Sequence, residues 1–132
     1  MITLPKSILN AIVQQAKAEL PNEACGLLAG KDNQIVKNYA LTNVDASPEH
    51  FSFDPSEQFK TLRAARSEGL QILANYHSHP ETPARPSQED IRLAFDPNIV
   101  YIIVSLAQTE PVAKAFHIRN GVVEPVEIEV LD

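Results

Sequence analysis

The segment NYHSHPETPARPSQEDI, residues 75–91, holds two of the chain's four histidines one residue apart and sends a proline-rich loop into Ser-Gln-Glu-Asp. If its first part is a strand, side chains alternate between faces, so His77 and His79 point the same way from one strand end. Two imidazoles on one face can share a divalent ion, each binding through one nitrogen at about 2.0–2.1 Å. A third ligand must come from elsewhere, and Asp90, eleven residues after His79, is placed to supply it from the start of the next helix. Two histidines and one aspartate leave a coordination position open for water, the arrangement of a catalytic rather than a structural zinc. A plainer reading competes. Ser87 and Asp90 form S-x-x-D, in which Ser87 caps a helix and Asp90 sits in its first turn, near the positive end of the dipole. Ser87 can serve both readings, whereas the two roles compete for the single carboxylate of Asp90.

These side chains need elements to carry them. Residues 5–19 show Ile8, Leu9, Ile12, Val13 and Ala16 at helical spacing, with Pro5 suited to the first turn. The apolar run 23–30 reads as a buried strand that opens with Glu23, and 34–43, beyond the turn KDN, reads as its hairpin partner. Asp54-Pro55 starts a helix running to about Ser67, with Glu57 closing a capping box, Phe59, Leu62 and Ala65 buried, and Gly69 near its C-terminal cap. Residues 70–79 read as a central strand and 87–95 as a second capped helix. The nearly all-apolar stretch 98–106 reads as a strand covered on both faces. Strands 112–118 and 122–130 form a hairpin through Asn120-Gly121, and Pro125 puts the last strand at an edge or bulge. The order αββαβαβββ predicts one α/β domain over residues 1–132, a mixed β-sheet with helices packed on it.

Composition narrows the function. Hydrophobic residues make up 44% and charged residues 21% of the 132, enough apolar material for a core. A net charge of −6 disfavours nucleic acid, which is bound through clustered Lys and Arg. No apolar run approaches the roughly 20 residues that span a bilayer, and the N-terminus lacks a signal-peptide pattern, so the expected setting is cytoplasmic, without membrane contact. Cys25 is the only cysteine, which excludes an intrachain disulfide and a Cys-rich zinc site. Its place beside Gly26 in an apolar strand reads as a small buried hydrophobe. A Cys–His nucleophile is the rival reading, since Cys25 would share the strand face of Glu23 and approach the site. His50 and His117 lack partners at ligand spacing and read as surface or loop residues. Arg85 and Glu81 lie in the loop beside the site, where they could touch a substrate.

The conjunction of H-S-H-P at 77–80 with S-x-x-D at 87–90, after an upstream glutamate at the head of EACGLLAG, resembles the JAMM (MPN+/Mov34-type) zinc metallopeptidases, in particular their small prokaryotic branch. Seven residues separate His79 from Ser87, as in the family pattern, and no motif position is substituted. The likeness runs from about residue 3 to 118 and includes FSFDPSEQF. It implies a cytidine-deaminase-like architecture and one Zn2+ per chain held by His77, His79 and Asp90. It also implies Glu23 as the general base toward an activated water and Ser87 as a hydrogen-bonding partner of the oxyanion. These roles make chemical sense, because a carboxylate can pass a proton from water to the leaving amine while a hydroxyl stabilises developing charge.

The same resemblance implies the bond that is cut. Family members hydrolyse amide or isopeptide bonds after the C-terminal tail of ubiquitin or ubiquitin-like proteins. Small prokaryotic members process sulfur-carrier proteins ending in Gly-Gly. An extended diglycine tail could add to an exposed strand edge, with glycine required by a narrow channel. Two further readings stay open. One is a non-catalytic MPN-type module that grips ubiquitin-like partners; the other is a RadC-like JAMM protein with the related HNHP motif.

Overall fold

The computed structural model describes residues 1–132. In chain order the elements are β1 (Ile2–Pro5), α1 (Lys6–Ala18), β2 (Cys25–Lys31), β3 (Gln34–Leu41), α2 (Pro55–Ser67), β4 (Gln71–His79), α3 (Gln88–Arg92), β5 (Val100–Ser105), β6 (Val112–Arg119), β7 (Val122–Val126) and β8 (Ile128–Leu131). All eight strands join one mixed sheet in the order β7-β6-β5-β4-β2-β3-β1-β8. β4 runs parallel to β5, and β1 runs parallel to both β3 and β8. The α/β class and the mixed sheet are as the sequence predicts.

Both ends of the chain depart from that prediction. The first residues form β1, so Pro5 closes a strand and precedes the helix at φ −59°, ψ 139° instead of lying in its first turn. The expected last strand, 122–130, is two strands, with β7 on β6 and β8 parallel to β1. Only Glu127 separates them, although they stand at opposite ends of the strand order. The sheet therefore curls until its two ends meet at that corner. Ile2, Leu4, Leu28, Tyr76, Ile102 and Ala115, from both halves of the sheet, fill one core with Ile12 of α1.

Alternation along β4 sends Ala74 and Tyr76 to this core and Asn75, His77 and His79 to the other face. There, Cys25, Leu27 and Leu41 pack with Phe51 and Phe53, while Tyr101, Ile103, Phe116 and Ile118 form a second apolar group. Helix α2 is capped as predicted at its start, where Asp54 accepts the Ser56 N–H at 2.9 Å. It also ends as predicted, for Gly69 at φ +73° lets the Leu70 N–H reach Ala65 O and the Gly69 N–H reach Arg66 O, a Schellman closure.

Two expectations about α2 fail. Glu57 closes no capping box; it accepts from Thr42 N–H and Thr42 Oγ1, both at 2.8 Å, and ties the helix to the end of β3. Phe59 and Leu62 are 60% and 44% exposed, because α2 turns its small residues Thr61 and Ala65 toward the sheet. Helix α3 is also shorter than predicted, five residues in place of nine. The β6–β7 turn has Asn120 at φ 52° and Gly121 at φ 78°, the left-handed pair that a two-residue hairpin requires. No helix is long and apolar enough to cross a membrane.

Candidate metal centre

The C-terminal end of β4 delivers His77 and His79 side by side, and their Nε2 atoms lie 3.1 Å apart. Asp90 Oδ2 stands 3.1 Å from each of them. Three donor atoms thus form a near-equilateral triangle. A tetrahedral ion with bonds of about 2.0–2.1 Å has ligand atoms about 3.3 Å apart, so the triangle is close to one face of such a tetrahedron. Two neutral imidazoles and a carboxylate suit zinc, and the fourth vertex stays open.

Asp90 forms the cap that the plainer reading expects, and its carboxylate also faces the two histidines. Ser87 Oγ accepts the Asp90 N–H at 3.0 Å, and Asp90 Oδ2 accepts the Ser87 N–H at 2.9 Å, a complete capping box. The cap aims the carboxylate at the histidines, and one oxygen, Oδ2, meets both the Ser87 N–H and the two imidazoles. Burial alone would raise the Asp90 pKa. The hydrogen bonds from His77, His79 and the Ser87 N–H outweigh it and hold the carboxyl well below the usual range.

The histidines are fixed differently. His79 Nδ1 donates to Pro83 O at 2.9 Å, and in the neutral imidazole this tautomer puts the Nε2 lone pair toward the triangle; the Nε2 contact with Asp90 is a hydrogen bond only when the ring is protonated. Burial pushes His79 toward neutrality, but contact with Asp90 and Pro83 O outweighs this and raises its pKa. His77 is driven the other way by burial, against the pull of Asp90. Phe51 stacks on its ring with centroids 4.6 Å apart, and its Nδ1 is buried without a partner.

Glu23 lies just before β2, not in it as the sequence suggests. It is not solvated: it is 4% exposed and its Oε1 is buried without a hydrogen bond. Burial raises its pKa from 4.5 to about 8; His79 opposes the rise and Asp90 adds to it. Its backbone is pinned on both sides, the N–H donating to Ser47 O at 2.9 Å and the carbonyl accepting from Asn43 Nδ2 at 3.0 Å. The Ser87 side chain is exposed beside Asp90, its oxygen used by the cap and its O–H proton free to donate.

Cys25 is paired opposite His77 in the β2–β4 ladder, but its thiol is fully buried and donates to Leu41 O at 3.8 Å. Burial, reinforced by Glu19 and Glu57, pushes it up to about 12, which suits a small core residue and not a nucleophile. Arg85 and Glu81 remain exposed on the 80–86 loop. His50 is more than a loop residue, since its Nδ1 contacts Glu89 Oε1 at 2.5 Å and joins the 43–53 loop to α3. His117 sits on β6, half-buried, with Nδ1 enclosed and unpartnered.

Three residues around the site have no role in the sequence reading: Asn43, Phe51 and Ser78. Only Ser78 carried a signal, because a residue between two ligands on a strand must face the opposite way. A cleft of about 450 Å³ opens beside His77 and Asp90, walled by Phe51, Leu62, Leu93, Phe95 and Tyr101.

Comparison with known proteins shows what the chain resembles as a whole. The profile of the family described as prokaryotic homologs of the JAB domain matches residues 5–119. The CysO-cysteine peptidase of Mycobacterium tuberculosis is 32% identical over 133 residues, covering 97% of this chain and 91% of that protein. The desampylase of Pyrococcus furiosus is 32% identical over 104 residues, 79% of this chain and 74% of that one. Among solved structures, a Desulfitobacterium hafniense protein superposes with TM-score 0.91 at 47% identity, covering 100% of this chain and 94% of that chain. A structure of JAMM, a metalloprotease-like zinc site in the proteasome and signalosome, superposes with TM-score 0.66 at 25% identity, covering 100% of this chain and 99% of that one.

Proposed function

Because this chain belongs to the family of prokaryotic homologs of the JAB domain, we propose that it is a JAMM-type zinc metallopeptidase working on the Gly-Gly tail of a ubiquitin-like or sulfur-carrier protein. The observation that carries the reading is the triangle of His77 Nε2, His79 Nε2 and Asp90 Oδ2. Residues 1–132 act as one metallopeptidase domain, with a cytoplasmic setting.

His77, His79 and Asp90 would hold one zinc, which when bound supplies Lewis acidity toward a carbonyl oxygen and lowers the pKa of a water. The remaining chemistry belongs to the chain. Glu23, whose protonated form burial favours in the metal-free protein, would be ionised beside the cation's charge; it then takes the proton released in attack and returns it to the leaving amine. The Ser87 O–H donates to the oxygen on which charge develops. The His79–Pro83 hydrogen bond keeps one imidazole in the binding tautomer. Phe51 shields His77 from water.

The substrate class is supported by two relatives, one named CysO-cysteine peptidase and the other desampylase. The test is mass spectrometry of a ubiquitin-fold carrier that bears a C-terminal adduct after Gly-Gly. The zinc-loaded protein should release the adduct, leave the carrier ending in Gly-Gly and spare casein. A carrier that stays intact while casein is degraded would replace this reading with a general peptidase.

A further inference from the structure

We infer that Asn43 is a positioning residue for Glu23, acting by folding the 43–53 loop into a strap across the site; this rests on the reading of Glu23 as the general base. Between β3 and α2 the chain has no helix or strand, only the isolated bridge of Asn43 with Phe53. A loop of this kind needs internal support to hold one shape. Asn43 supplies it from a position only 8% exposed. Its Nδ2 donates to Glu23 O at 3.0 Å and His50 O at 2.9 Å, and its Oδ1 accepts from Asp45 N–H at 3.0 Å and Ser52 N–H at 3.2 Å. Both donors and both acceptor sites of the amide are used, all on backbone.

The loop so folded touches the site at separate points. Ser47 O receives the Glu23 N–H. Phe51 stacks on His77, and His50 meets Glu89, the neighbour of Asp90. Only Asn43 bonds both the loop and the backbone of Glu23 through one atom. A carboxylate that must meet a water within hydrogen-bond reach gains rate from such fixing, since an error of about 1 Å can cost on the order of 100-fold.

The amide's two halves separate by mutation. Asn43→Asp keeps an acceptor for Asp45 and Ser52 but turns an oxygen toward the carbonyls of Glu23 and His50. Asn43→Ser keeps a local turn bond and is too short to reach Glu23. Turnover of the Gly-Gly carrier is measured for each variant, alone and with Glu23→Gln, alongside zinc content and amide hydrogen exchange. A variant that retains zinc and core protection is read, so either one suffices if the other fails to fold.

The expected result is a fall in kcat of about 10- to 100-fold with KM little changed, and faster exchange at Glu23 and residues 43–53. In the Glu23→Gln background the same substitution should cost less than about twofold, because the two act as a unit. An equal loss in both backgrounds would make Asn43 a structural residue only, and unchanged kcat in the folded variant would also overturn the inference. Full turnover by Glu23→Gln alone would remove the base assignment, and this inference with it.

Discussion

Ser78 and Ala24 exchange two hydrogen bonds: the Ala24 N–H donates to Ser78 Oγ at 2.8 Å, and the Ser78 N–H donates to Ala24 O at 3.0 Å. Ser78 separates His77 from His79, and Ala24 follows Glu23, so the pair joins the two parts of the site. Ser78→Ala leaves the Ala24 N–H buried without an acceptor, at an expected loss of about 1–3 kcal/mol. Urea unfolding of the variant measures this. A midpoint equal to wild type would show that the hydroxyl contributes nothing to the junction.

Stability of the metal-free protein should carry the mark of Glu23. Its pKa rises from 4.5 to about 8 on folding, chiefly through burial. The folded chain therefore holds that proton more tightly than the unfolded chain. The contribution to stability is complete below about pH 4.5 and is lost as pH rises through about 8. Asp90 works the other way, adding stability above its ordinary pKa and losing it in acid. His79 and His77 contribute with opposite signs, since the pKa of His79 is raised on folding and that of His77 is lowered by burial. The comparison of wild type with Glu23→Gln isolates the glutamate: wild type should lose more stability than the variant between pH 5 and pH 8. Parallel curves would mean that Glu23 reaches solvent.

Thiol chemistry should be silent. With Cys25 fully buried and its pKa pushed up to about 12, iodoacetamide should leave the native protein unmodified and active at neutral pH. Modification in the native state accompanied by loss of turnover would revive the cysteine-hydrolase reading.

Much of this arrangement is legible in the sequence because local rules govern it. The strand period puts His77 and His79 on one face, and Ser87-x-x-Asp90 specifies a capping box wherever a helix follows. Asp54, Pro55 and Gly69 mark α2 for the same reason. What fails to show depends on distant partners. Four-residue strands such as β1 and β8 depend on partners distant in sequence, β8 on β1 and β1 on both β3 and β8, and neither has a period of its own to read. Phe59 has the right spacing for burial and lies outside because α2 packs through smaller residues. Asn43 belongs to no motif, and its four bonds go to backbone that only the folded loop brings near. Glu23 could be found through resemblance alone, for a single glutamate carries no periodic signal.

The requirement for glycine in the substrate is open to a direct kinetic check. A carrier whose last glycine is replaced by valine should be cut much more slowly than the Gly-Gly carrier, since a β-branched side chain restricts the tail and needs space beside the backbone. Equal rates would show that the tail is not threaded through a narrow channel.

Titration of the metal-free protein with zinc, followed as turnover of the Gly-Gly carrier, tests the central claim most directly. Turnover should be absent at the start and rise to a break at one equivalent per chain, the capacity of the triangle formed by His77, His79 and Asp90. The Asp90→Ala protein should show no such break. Turnover without metal, or an Asp90→Ala titration that overlays wild type, would contradict the account.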